Sequence, residues 1–424
     1  MIIAKKVFED CFIKKNYGKY CFRLGILLLP SASVISAILI LFSIVNPIKK
    51  NFHRFFDDKL SFGFLFSIPF LFLACFFHNI DNNFKGSLMN SLIGLFNWLP
   101  YFFCYLGFQS YLSTKEDRTL ISKLLIAGTV PVIFSGLTQY FFNWYGPYET
   151  LNGLIIWYQR EDRGLTGLFS NSNYLSAWLN VILPLTIVQY IRSKYDYKKS
   201  CFLFYFTILI IFLIILTKSL DSILCLLLVL LLLFFNNFVI YRLSLAITTF
   251  SFIVLSNKFF VEYLEKILLT IFTYLNLDLI HTKLLLRFNA FNSAIDLISK
   301  KPIFGYGINN HVSKLVFSNS AFNIRHSHNL FYELALNYGI IVCLLIAIPI
   351  FIIFYKAYLI NLNLNKTQYK PLNRYIYLDD KSWFLAFFIM LITQLTDIQY
   401  YDIKIGMLFW LLLAGTREMI RESN

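Results

Sequence analysis

Charge is what this chain has least of. Only 14% of its 424 residues are Asp, Glu, Lys or Arg, against about 25% in a domain that must wet its own exterior. The stretches 201–216 and 223–235 contain no charged residue. With 58% apolar residues and a mean hydropathy of +0.63, a secreted, nuclear or cytosolic enzyme is excluded and an integral membrane protein is expected. Cysteine pairing motifs are missing too. The seven cysteines (Cys11, Cys21, Cys75, Cys104, Cys201, Cys225 and Cys343) form no CxxC pair and no Cys/His metal spacing, so they read as small apolar residues. The absence of a P-loop pattern excludes ATP-driven export by this chain alone. No basic array interleaved with aromatics appears, which argues against nucleic acid. There is no repeat of fixed period and no signal-peptide cleavage pattern, so the first apolar segment is expected to remain in place.

What is present is a succession of apolar runs long enough to cross a hydrocarbon core: 22–46, 60–80, 88–112, 119–145, 172–191, 201–217, 220–236, 238–256, 330–358, 381–398 and 403–416. Prolines inside several of these runs need protein neighbours to satisfy the carbonyls they free, so a bundle is expected rather than isolated anchors. The fold class is therefore all-α, a polytopic membrane bundle of about 11–12 helices with a long outward-facing helical loop. Basic or mixed connectors at 49–59, 113–118, 192–199 and 356–381 place that end of the bundle in the cytoplasm. The segments 81–87, 146–171, 217–222, 257–329 and 397–402 then face outward. The Lys-rich start fits this scheme if Pro30 breaks 22–46 into a hairpin of two short helices. Three regions follow: N-terminal spans over 1–159, a core over 160–358 that contains the outward loop 257–329, and a cytoplasmic loop with a C-terminal pair of spans over 359–424.

The net charge of +15 has two possible sources, topology and an anionic substrate. The outward segment 257–329 carries eight Lys/Arg against four acids, which suits either a solvated face or an anion-binding lid over the bundle. Within it Leu284, Phe288, Phe291, Ile295 and Ile298 recur at helical spacing as one apolar stripe, with Arg287 on its flank. Pro302 should end that helix, and Gly305 and Gly307 should turn the chain; a phosphate cradle at Gly-Tyr-Gly lacks the third glycine and the flanking strand. Next comes Arg325-His326-Ser327-His328-Asn329, ahead of an apolar run, with Asn329 as the expected N-cap. A histidine at the positive end of a helix dipole tends to stay neutral and able to accept a proton, and free N–H groups there attract phosphate oxygens. Glu333, one turn on, could orient an imidazole. The alternative is that the two histidines only hydrogen-bond lipid headgroups or bind a stray metal. A second cluster, Arg160 to Asn173, reads equally as a ligand loop or as a cap whose acids neutralise its arginines.

Together these stretches resemble the O-antigen ligase/O-antigen polymerase family of bacterial membrane glycan-transfer proteins. The resemblance rests on Arg163 to Asn173 opening a membrane helix, on Arg287 with Phe291 and the Pro302 to Gly307 turn, and on His326-Ser327-His328-Asn329 followed by Glu333 and Gly339. Where the family commonly has Thr-x-Ser-Arg-Gly, this chain reads Thr217-Lys218-Ser219-Leu220-Asp221, so Lys218 would supply that charge without an arginine's bidentate fork. The resemblance implies transfer of glycan from a polyprenyl diphosphate to an acceptor sugar hydroxyl, glycan or lipid A-core-like glycolipid, on the periplasmic face of the bacterial inner membrane. It implies neither nucleotide nor metal nor other cofactor. Carried over by position, His328 is the base and Arg287 a diphosphate ligand; Arg163, Lys218, Arg325, His326, Asn329 and Glu333 are the substrate-binding candidates. Chemistry asks for the same residue types: a hydroxyl attacking an anomeric carbon needs a base, and a departing diphosphate needs fixed positive charge. A polymerase using the same donor, a lipid-linked sugar flippase and a non-catalytic scaffold are the alternatives.

Overall fold

A chain this apolar must satisfy its backbone polar groups internally, and helices do so without a partner strand. The computed structural model describes residues 16–80, 88–162, 164–193, 195–234, 278–308, 326–366 and 374–423. They form an all-α bundle: α1 (Tyr17–Leu28), α2 (Ser33–Asn51), α3 (Arg54–Asp57), α4 (Lys59–Ile80), α5 (Leu88–Leu95), α6 (Leu99–Gln109), α7 (Lys115–Gly128), α8 (Val130–Phe142), α9 (Ser172–Arg192), α10 (Tyr197–Leu216), α11 (Leu220–Phe234), α12 (Asp278–Lys300), α13 (Leu330–Tyr338), α14 (Ile340–Lys366), α15 (Arg374–Thr396) and α16 (Ile403–Ser423). A small antiparallel hairpin, β1 (Tyr148–Thr150) with β2 (Ile155–Trp157), pairs Tyr148 with Trp157.

Among the described residues, six helical stretches are long and apolar enough to cross a membrane unaided: Ser33–Asn51, Lys59–His78, Lys115–Phe142, Ser172–Arg192, Tyr197–Leu216 and Ile340–Asn361. The chain is a multi-pass membrane protein. Others among the expected spans are interrupted, as 88–112 is between α5 and α6, or carry several charges, among them Asp379, Asp380 and Lys381 in α15 and Lys404, Arg417 and Glu418 in α16. The expected span 238–256 lies outside the described residues. Helix α9 is the hub. It packs against α10, α11 and α15, and it is buried almost all round, which explains why its sequence shows no polar face.

The break at Pro30 occurs as expected. α1 and α2 pack as a hairpin, and Lys19 at the start of α1 pairs with Asp117 at the start of α7 at 3.4 Å. The start of α1 therefore lies at the same end as the basic connectors. Ion pairs knit that end: Arg118 to Asp380 (2.9 Å) and Glu422 (2.6 Å), Arg192 to Asp379, and Arg417 and Arg421 to Asp58, each at 2.9 Å. The described parts of 146–171, 217–222, 257–329 and 397–402 gather at the opposite end, where the Leu165 N–H donates to the Leu216 carbonyl, Arg287 pairs with Asp221 and His328 with Asp397.

The apolar stripe of α12 lies on the bundle. Phe288, Phe291, Ala294 and Leu297 are buried, Phe291 meets the Tyr332 ring edge-on at 5.7 Å, and Leu297 shares a small cluster with Tyr306 and Leu336. Each buried phenylalanine contributes roughly 1.5–3 kcal/mol relative to exposure. The side chain of Leu284 lies outside the described ones. After α12 the Pro302 to Gly307 turn docks onto the end of α13: the N–H groups of Tyr306 and Gly307 donate to the carbonyls of Leu336 (2.7 Å) and Asn337 (3.1 Å). These N–H groups are thus committed to a helix C-terminus, and the phosphate-cradle reading of Gly-Tyr-Gly falls. Gly339, at φ +89°, separates α13 from α14, and a Cβ there would sit 1.9 Å from the Ile303 carbonyl oxygen. Gly339→Ala combines a left-handed backbone with that overlap, so we expect it to cost about 2 kcal/mol or more and to lower the melting temperature of the detergent-solubilised protein. An unchanged melting curve would show that the docked turn is not needed.

Candidate active site

Asn329 and Asn171 start the two helices that frame the site. The Asn329 side chain accepts from the N–H groups of Phe331 (2.9 Å) and Tyr332 (3.2 Å), which caps α13, and its amide donates to the Leu395 carbonyl at 3.0 Å. The Asn171 side chain accepts from the N–H of Asn173 and caps α9. Asn329 is therefore a buried cap that fixes its neighbour His328 and has no free face for substrate.

His328 has a backbone φ of +52°, uncommon for a residue with a side chain. Its imidazole Nδ1 lies 3.1 Å from Asp397 Oδ1, in the short connector between α15 and α16. Asp397 is in turn fixed on two sides: the Asn173 amide donates to Oδ2 at 2.8 Å and the Ile398 N–H donates to Oδ1 at 2.9 Å. With Nδ1 given to the carboxylate, Nε2 is the nitrogen left to exchange a proton, and the side chain remains 34% exposed. This carboxylate–imidazole pair was not legible locally; its only sequence signal is an acid at the end of an almost uncharged run, with a second, Asp402, in the same connector.

Arg287 reaches the same place from α12. Its two terminal nitrogens bond the two carboxylate oxygens of Asp221, on the first turn of α11, each at 2.5 Å. The Arg287 charge also acts on Asp397. His328 and Arg287, expected from sequence as the two chemical residues, are thus each bonded to a carboxylate, Asp397 and Asp221, and the Arg287 charge is felt at Asp397. Burial alone would raise Asp397, but the His328 hydrogen bond, the His328 and Arg287 charges and the Asn173 bond outweigh it and hold Asp397 below the usual carboxylate value.

The remaining candidates divide. Glu333 is fully buried and accepts from Ser327, from its N–H at 3.2 Å and its hydroxyl at 3.0 Å, and from the Tyr401 hydroxyl at 3.3 Å. His326 Nδ1 lies 3.8 Å from Glu333, beyond hydrogen-bond reach, so Glu333 shapes the loop that presents both histidines while Asp397 orients the second. His326 is itself 38% exposed and lies beside the Tyr401 ring. Lys218 is exposed at the α10–α11 turn, also with positive φ, +54°. Gly164 sits directly on that turn, where a Cβ would lie 1.9 Å from the Thr217 carbonyl oxygen. The loop from Arg160 is held by Gln139, whose side-chain oxygen accepts from the N–H groups of Thr166 (3.1 Å) and Gly167 (2.9 Å). Arg163 and Arg325 lie outside the described residues. Sequence reading also missed Asp221 and Asn173 as partners.

The O-antigen ligase family model matches residues 197–347 of this chain. A search of curated proteins finds no match. The matched stretch holds Lys218, Asp221, Arg287, His326, His328, Asn329 and Glu333, whereas Asn173 and Asp397 lie on either side of it.

A group held below its ordinary value adds stability that is fully present above the unfolded value near 3.8 and is lost as pH falls through the folded value beneath it. We therefore expect the native protein to melt higher than Asp397→Asn at neutral pH, with the gap closing below about pH 4. A gap that stays constant into acid would contradict the charged pair.

Proposed function

We propose, for a chain whose residues 197–347 match the O-antigen ligase family model, that His328 and Arg287 carry glycan transfer from a polyprenyl diphosphate donor to an acceptor sugar hydroxyl. The protein is a membrane glycan-processing enzyme of the ligase or polymerase type. Within that class, the reading assigns the site to the periplasmic face of the bacterial inner membrane and the chemistry to side chains without metal. The acceptor is a lipid A-core-like glycolipid in a ligase and a second lipid-linked glycan in a polymerase; the bond made is of the same kind.

The observation that carries the reading is the His328–Asp397 pair with Arg287 acting on the same carboxylate. Attack by a neutral hydroxyl requires its proton to leave as the new bond forms. His328 Nε2 accepts that proton, while Asp397 fixes the tautomer and stabilises the imidazolium, as in other carboxylate-oriented histidines. The bond from the anomeric carbon to the diphosphate oxygen breaks, and its electron pair stays on the leaving group. A guanidinium placed there stabilises the growing charge. Lys218, exposed on the neighbouring turn, adds a second cation for the donor. Moving a lipid across the bilayer needs no oriented base, so this arrangement favours bond formation over a flippase.

With purified protein, a polyprenyl-diphosphate glycan and an acceptor, we expect His328→Ala to lose about 10²–10⁴ in transfer rate while expressing normally. Full activity in a glycan-ladder gel would remove His328 from this role. Arg287→Lys should also be strongly impaired, because it keeps the charge but loses the rigid planar fork that matches two phosphate oxygens. Lys218→Ala should raise the apparent donor KM with kcat largely kept; an unchanged KM would leave Lys218 as an ordinary turn residue.

A further inference from the structure

We propose that Asp221 is the displaceable counter-ion of Arg287: it holds the guanidinium in the empty site, yields it to the donor's diphosphate, and takes it back to release the spent lipid diphosphate. The inference rests on the donor reading above. Arg287 meets Asp221 fork to fork, both terminal nitrogens on both carboxylate oxygens at 2.5 Å. Two oxygens of a diphosphate offer the same charge and nearly the same spacing, so they compete for the same face of the guanidinium. The exchange is accessible, since the side chains of Arg287 and Asp221 are 22% and 14% exposed. Asp221 is not stranded by it. It sits in the first turn of α11, where unsatisfied N–H groups and the positive end of the helix dipole favour a carboxylate.

Such a competitor answers a problem posed by the chemistry. When the sugar–oxygen bond breaks, its electrons remain on the diphosphate, and the acceptor's proton goes to His328. The lipid diphosphate product therefore carries more negative charge than the donor did, and a bare arginine would hold product more tightly than substrate. A carboxylate already aligned with the fork weakens the binding of both and speeds departure. Asp221 acts through Arg287 and is a positioning residue.

The test uses the full chain in detergent with farnesyl diphosphate as the binding probe, read by calorimetry, and transfer assays in single and multiple turnover. Asp221→Asn, or Asp221→Ala if the first is poorly produced, should bind the probe at least tenfold more tightly. It should also slow in multiple turnover through product inhibition, by a larger factor than any change in its single-turnover rate. Asp221→Glu, which keeps the charge, should behave as the native protein, and adding Arg287→Lys to Asp221→Asn should abolish the gain. Binding that is unchanged or weaker in Asp221→Asn, while Arg287→Lys alone weakens it, overturns this role for Asp221 and leaves the donor site standing. Binding insensitive to Arg287→Lys overturns both.

Discussion

One carboxylate organises the end of this protein that lies opposite the basic connectors. Asp397 receives the His328 imidazole, the Asn173 amide and the Ile398 N–H, and it lies in the field of Arg287. Those partners come from the start of α13, the start of α9, the α15–α16 connector and α12. A buried carboxylate is costly unless its oxygens are bonded and its charge is opposed. The requirement to satisfy Asp397 therefore draws four distant parts of the chain to one point. Tyr174, which donates to the Ile398 carbonyl at 3.1 Å, and Lys404, which donates to the Leu168 carbonyl at 2.5 Å, close the same junction from either side.

The two ends of the bundle use charge differently. At the end with the basic connectors, acids and arginines are mutually neutralised in a dense network around Asp58, Arg118 and Asp379, which ties the C-terminal helix to the rest. At the opposite end the pairs are fewer, partly open and built around groups that can change partner or proton: an imidazole a third exposed and a guanidinium held by one carboxylate. Packing and capping keep these groups in place. Glu333 and Asn329, fully or almost fully buried, hold the backbone on either side of His328 in an otherwise unfavourable conformation.

Much of this was readable from the chain, and the rest was not for a definite reason. Features that depend on neighbours in sequence came through: the Pro30 hairpin, the Asn329 cap, the α12 stripe with Arg287 on its flank, and the separation of outward from basic connectors. Features that depend on distant pairing did not. Asp397 lies 69 residues from His328 and 224 from Asn173, and Asp221 lies 66 from Arg287, so no periodicity links them. Glu333 shows the difference. It is one helical turn from the histidines, accepts from Ser327 and Tyr401 and lies 3.8 Å from the His326 imidazole, whereas the acid bonded to His328 comes from another helix end. Leu220 and Asp221, odd beside the related Arg-Gly, gain a meaning for Asp221 only once Arg287 is seen in its grasp.

The most direct measurement is single-turnover glycan transfer by Asp397→Asn, with donor binding followed in parallel. The amide keeps the shape of the side chain but cannot stabilise an imidazolium. The account predicts a rate reduced by about 10²-fold or more with donor affinity essentially intact. A variant that transfers glycan at the native rate would contradict it, because the oriented base at the centre of the site would then be unnecessary.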